Sequence, residues 1–178
     1  MYNIYPVDYI AITGPYTLSH SGVDFGWWGD TPDRPIYAIN SGIVTAMRND
    51  YQTTDTSGNS YGNYVSIRHD NGLVSTYAHL KYQSVLVNVG DRVNLHTQIG
   101  VMGNTGYSSG THLHLEIRKN GNLVNPTDYL YMYPYQSYYQ NAYSYLIKIL
   151  PTQNEEKKRF NFMLFGRKFF KNGKKRFY

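Results

Sequence analysis

At 178 residues the chain is long enough for one buried core and too short for two comfortable domains. It has no cysteine, which excludes disulfides and any thiolate metal site. Its formal net charge of +5 belongs to the C-terminus, where residues 155–178 hold nine Lys and Arg against two Glu while residues 1–154 are slightly negative. No apolar run approaches the length of a membrane span.

The opening string, MYNIYPVDYIAITGPY, has neither a basic leader nor an apolar stretch of signal-peptide length, so a role outside the cell is expected to need another route of delivery. The string HSGVD follows, with His20 and Asp24 four residues apart. Gly22 lies between them and β-branched Val23 precedes Asp24, which predicts a loop running into a strand rather than a helical turn. From residue 35 to 116 strand signals dominate: alternating or β-branched runs at 36–46, 64–69, 73–79, 84–89 and 112–118, punctuated by Gly and Asn. Asn71-Gly72 and Asn120-Gly121 read as two-residue hairpin turns, and Val89-Gly90-Asp91 as another turn. Within 73–79, alternation puts Val74, Thr76 and Ala78 on one face and Ser75, Tyr77 and His79 on the other, with His79 ending the strand. The Gly- and Ser-rich stretch GNTGYSSG then leads into THLHLEI, where His112 and His114 are two apart on a strand and project from one face.

Zinc takes nitrogen from His and oxygen from Asp, and a catalytic site uses three protein ligands with a fourth position for water. His20, Asp24, His112 and His114 are one more than that requires, which points to one histidine that handles protons instead. A single histidine beside a strand is more often a surface or satisfied core residue, and His69 and His96 are left in that class. After Pro126 the composition changes: eight tyrosines fall within residues 129–145, then Lys and Arg interleave with Phe and Tyr to the end. The tyrosines can pack their rings on a sheet with wet hydroxyls. The basic end is either a solvated extension or a surface for an anionic partner.

The ordered set HxxxD, GNYVSIRHDNG, YAHL, VGDRV, IGVMGNTGYSSGTHLHLEI and NGNLVNPTDYL resembles the lysostaphin-type, or LytM-like, zinc endopeptidases that cut peptidoglycan peptides. The likeness runs from about residue 12 to 130 and implies a mainly β fold, a folded antiparallel sheet with the histidines at its open end. It implies a Zn²⁺ held by His20, Asp24 and His114, with His79 and His112 as the two catalytic histidines, their division of roles left open. The chain departs from the family pattern in an insertion-like loop at 49–60, in His96, and in a C-terminal segment. The expected organisation is an endopeptidase domain over 1–130 and a short, irregular or helical extension over 131–178.

The expected activity is zinc-dependent hydrolysis of an amide in peptidoglycan cross-links or stem peptides, by a phage virion (tail) protein or a lysin released at lysis that acts at the bacterial wall. Peptidoglycan is the substrate partner. Virion or tail proteins or an anionic wall polymer are candidates for the basic tail, and no nucleic-acid partner is expected. The alternative class is a non-catalytic binding or assembly platform with the same fold, and stoichiometric zinc separates the two.

Overall fold

The computed structural model describes residues 3–26, 33–55 and 60–131. The expected extension over 131–178 lies outside them except for Tyr131, so the expectations for the tyrosine-rich and basic stretches rest on sequence. Among the described residues there are twelve strands and one 3-10 turn, Pro126–Asp128. The strands are β1 (Asn3–Ile4), β2 (Ile12–Gly14), β3 (Val23–Gly26), β4 (Pro35–Tyr37), β5 (Gly42–Arg48) and β6 (Asn63–His69). They continue as β7 (Leu73–Leu80), β8 (Arg92–Val93), β9 (Gln98–Val101), β10 (His112–Lys119), β11 (Asn122–Val124) and β12 (Leu130–Tyr131). No helix of the described residues is long and apolar enough to cross a membrane.

The main sheet runs β2-β3-β10-β7-β6-β5-β8 with antiparallel neighbours, and β11 folds back on β10. A mainly β, antiparallel architecture is therefore what the alternating pattern builds. Two small pairs complete it: β4 with β9, antiparallel, and β1 with β12, which is parallel. The last pair joins the two ends of the described fold and places Tyr131 opposite Ile4, inside the folded unit.

Alternation sorts β10 most clearly. Leu113, Leu115 and Ile117 are fully buried in the core with Val23, Phe25, Val65, Ile67 and Tyr77, each such side chain contributing about 1.5–3 kcal/mol. The intervening His112, His114 and Glu116 share the other face.

Three expectations are corrected. The run 84–89 is not a strand: it carries single backbone bonds, such as Leu86 N–H to Ile99 O at 3.0 Å, without a ladder. The run 36–46 is two strands, split where the Asn40 carboxamide oxygen accepts the Ser41 N–H at 2.7 Å and turns the chain. The Asn71-Gly72 turn is one residue longer than expected: Gly72 N–H bonds His69 O at 3.0 Å and Gly72 takes a φ of 84°. That is the three-residue hairpin of a tight turn closed by a left-handed residue, which glycine adopts without a Cβ penalty.

Candidate metal centre and histidine pair

Asp24 and His114 are cross-strand partners, Asp24 on β3 and His114 on β10. Their side chains meet with His114 Nδ1 2.8 Å from Asp24 Oδ1. His20 arrives from a tight turn in which Thr17 and His20 exchange backbone hydrogen bonds of 3.1 and 3.2 Å, just ahead of β3. Its Nδ1–H donates to the Pro15 carbonyl at 2.8 Å, so Nε2 carries the lone pair and sits 3.2 Å from Asp24 Oδ1. The ligand atoms of His20, Asp24 and His114 all lie within 4.8 Å of one another. Tetrahedral zinc with legs of about 2.0–2.1 Å has ligand edges of roughly 3.4 Å, so two nitrogens and one oxygen at these spacings fit that ion. Among the described residues this is the one group of its kind.

Glycines let the chains close in. At Gly22 a Cβ would stand 2.5 Å from the Leu115 carbonyl oxygen and 2.7 Å from His114 Cε1. Any side chain there would push the imidazole off its place.

The other two histidines reach the same centre with their inner nitrogens tied. His112, opposite Gly26 on β3, directs Nδ1–H to the Gly110 carbonyl at 2.8 Å, leaving Nε2 3.8 Å from Asp24 Oδ1. His79 directs Nδ1–H to the Thr105 carbonyl at 2.8 Å. Its ring centroid is 4.8 Å from that of His112 and 5.9 Å from that of His114.

The alternation argument misplaces His79. Simple alternation puts it with Tyr77, whose ring is fully buried and whose hydroxyl oxygen accepts the Ile39 N–H at 2.9 Å. In the structure β7 holds one extra residue opposite β6, between the pairs Val65–Tyr77 and Asn63–Leu80, and His79 has a φ of 60°. The bulge resets the alternation by one and turns His79 toward His112 and His114.

Electrostatics differ among these groups. Burial opposes charge on His114, but the hydrogen bond to Asp24 and the neighbouring Glu116 outweigh it and hold the imidazole up at about 9. Burial, reinforced by His112, pushes His79 down to about 4. Asp24 is desolvated, yet His114, His112 and His20 together keep it below the ordinary carboxylate range.

Of the histidines set aside, His69 lies in the core between the Ser41 carbonyl (3.3 Å) and the Ser75 hydroxyl (2.7 Å), and His96 stacks on Tyr37 with centroids 4.1 Å apart. Sequence reasoning misses Glu116, which is 3% exposed and faces His114 Nε2 at 3.5 Å. It also misses Tyr61, whose ring stacks at 6.5 Å on that of His114. A signal for Glu116 is present: it is the next residue after His112 and His114 on one face of a strand.

Residues 18–126 match the family described as Peptidase family M23. The DD-carboxypeptidase/endopeptidase Mpg of Neisseria meningitidis is 35% identical over 135 residues, covering 70% of this chain and 28% of Mpg. The murein hydrolase activator NlpD of Salmonella dublin is 44% identical over 70 residues, 39% of this chain and 18% of NlpD. Among solved structures, a zinc containing peptidase from Vibrio cholerae superposes with a TM-score of 0.58 at 28% identity, covering 70% of this chain and 38% of that one. The chain thus spans less than a third of the length of these two curated relatives.

Proposed function

The chain belongs to peptidase family M23, and on that premise we propose that it is a zinc-dependent endopeptidase that hydrolyses an amide bond in peptidoglycan cross-link or stem peptides. The observation that carries this reading is the convergence of a His-Asp-His group with two further histidines whose Nε2 atoms are free of backbone partners on the same face. His20, Asp24 and His114 would hold the metal, His20 through Nε2, Asp24 through a carboxylate oxygen and His114 through Nδ1. Bound Zn²⁺ would supply a polarised scissile carbonyl and a water acidic enough to attack near neutral pH. His79 and His112 do the proton work. With Nδ1–H of each committed to a carbonyl, the tautomer is fixed and Nε2 can accept. One of the pair takes the proton of the attacking water as its oxygen bonds the carbonyl carbon. The other, once it carries a proton on Nε2 as well as on Nδ1, steadies the developing oxyanion or delivers that proton to the amine nitrogen as the C–N bond breaks. Among the described residues the two carboxylates at the centre, Asp24 and Glu116, are both engaged with His114, so neither is free to serve in the acid and nucleophile pair of a glycoside hydrolase.

Similarity to NlpD, named for activating murein hydrolases, supports a second reading, a platform that keeps the fold without turnover. The two readings part on one experiment. Purified peptidoglycan digested by the chain should release new amino groups without new reducing sugar ends, and His79→Ala should stop this with zinc retained. No release by zinc-loaded protein favours the platform. For setting, we propose a phage virion component or a lysis-released lysin acting at the wall, with the basic tail engaging an anionic wall polymer or a virion protein.

A further inference from the structure

His114 is the residue of the proposed metal group with carboxylates on both sides. Asp24 faces its Nδ1, and Glu116 Oε1 faces its Nε2 at 3.5 Å. Glu116 is also the acceptor of the Ser21 hydroxyl at 2.7 Å, and Arg118 Nη2 lies 3.4 Å from its second oxygen. Ser21 adjoins His20. One buried carboxylate therefore touches the ring of one proposed ligand and the chain segment that bears another.

We propose that Glu116 is a positioning residue for the metal: it orients the His114 imidazole from behind and, through Ser21, ties the His20 segment to β10. The inference rests on the reading that His20, Asp24 and His114 hold zinc. When Nδ1 donates its lone pair forward, the proton must sit on Nε2, and that N–H points at Glu116. A carboxylate behind a histidine fixes the tautomer, stops the ring from rotating, and makes the forward nitrogen a stronger donor. Burial strengthens the effect, because the charge of Glu116, at 3% exposure, is poorly screened by water. Leaving that charge inside is costly unless partners surround it. Ser21, Arg118, the Tyr61 hydroxyl and the His114 N–H supply four. The Tyr61 ring stacked against His114 closes the remaining side of the imidazole at 6.5 Å between centroids.

The arrangement explains a glutamate between Leu115 and Ile117 in the middle of the sheet, where an apolar residue would otherwise pack at less cost. Arg118 alone does not explain it, since a pair with a side chain 42% exposed could form at the surface without burying the carboxylate.

The test is zinc affinity in the full chain, measured by competition with a chromophoric chelator at neutral pH. Glu116→Gln keeps the shape and removes the charge, and should weaken zinc about 10–100-fold. Ser21→Ala keeps the carboxylate and removes one hydrogen bond, and should weaken zinc in the same direction by less; it also tests the link if Glu116→Gln does not fold. In zinc-loaded protein the His114 Nε2 proton should resonate far downfield and move upfield in Glu116→Gln, a change that a purely structural role would not produce. A folded Glu116→Gln with wild-type zinc affinity and an unmoved resonance overturns the proposal, as does wild-type affinity in Ser21→Ala if the glutamine variant is lost. Absence of stoichiometric zinc in the wild type instead overturns the parent reading of the ligand group.

Discussion

His69 should set an acid limit on the fold that is independent of the metal group. It is 3% exposed, with Nδ1 3.3 Å from the Ser41 carbonyl and Nε2 2.7 Å from the Ser75 hydroxyl, contacts that a neutral imidazole with its proton on Nδ1 satisfies. Burial is the main cause that lowers its pKa to about 4, against partial support for the charged form from the Ser41 and Asn40 backbone and Asp70. An unfolded histidine titrates near 6.5. Between these values the unfolded chain binds more protons than the folded one, so stability rises with pH. The contribution is complete above about pH 6.5 and is lost as pH falls toward 4. At pH 4.5 the loss amounts to roughly 2–3 kcal/mol, a large share of a typical 5–15 kcal/mol. Urea unfolding of metal-stripped wild type and His69→Gln, at pH 7.5 and pH 4.5, isolates it, because His79 and His114 titrate in both proteins. The variant, once shown to be folded at pH 7.5, should lose roughly 2–3 kcal/mol less between the two pH values. Equal losses would refute the assignment of His69 as a buried neutral residue.

His114→Ala should abolish stoichiometric zinc while His112→Ala keeps most of it, read by metal analysis of the purified proteins; equal loss in both would overturn the division of the H-x-H pair. Gly22→Ala should cost about 1–3 kcal/mol by overpacking and weaken zinc by at least about tenfold, since the Leu115 carbonyl cannot yield and the His114 ring must; unchanged affinity by chelator competition would contradict the close approach. Deleting residues 151–178, which carry the net +7 of the tail, should leave hydrolysis of a short soluble peptide unchanged but weaken retention on cell walls. That retention should fade with salt, the screening length being about 8 Å at physiological ionic strength, and loss of peptide hydrolysis with wall binding intact would place the tail in the catalytic fold.

What is legible in the sequence follows the reach of its local rules. Period-two alternation acts within one strand, so residue order alone places His112 and His114 on one face and Leu113, Leu115 and Ile117 on the other. The meeting of Asp24 with His114 cannot be derived that way, because it depends on β3 lying beside β10 in one particular register. Here the family resemblance, built on motif order, carries what periodicity cannot. The run 84–89 shows the opposite failure: β-branched residues fit a pleated surface, but strand formation needs a ladder partner, which this segment lacks. Glu116 escapes sequence reasoning because a glutamate in a strand suggests a wet face, and only the groups that close over it, Ser21, Tyr61, Arg118 and the His114 ring, show that this one is enclosed.

The place where alternation breaks is also where the second histidine is made. A left-handed backbone at a residue with a side chain costs about 1–2 kcal/mol, so His79 must be held there by its surroundings. It is held twice over: its N–H bonds the Tyr61 carbonyl at 2.9 Å, and its ring Nδ1–H bonds the Thr105 carbonyl at 2.8 Å. Thr105 is anchored in turn, its hydroxyl donating to Leu80 O at 2.7 Å while accepting the Asn63 N–H at 2.9 Å. A regular β7 would have left His79 beside Tyr77, on the core side of the sheet. One extra residue, its strain offset by these bonds, turns the imidazole toward that of His112. The strained backbone and the proposed proton chemistry are thus one feature, and loosening the Thr105 anchor should free the strand and misdirect the imidazole together.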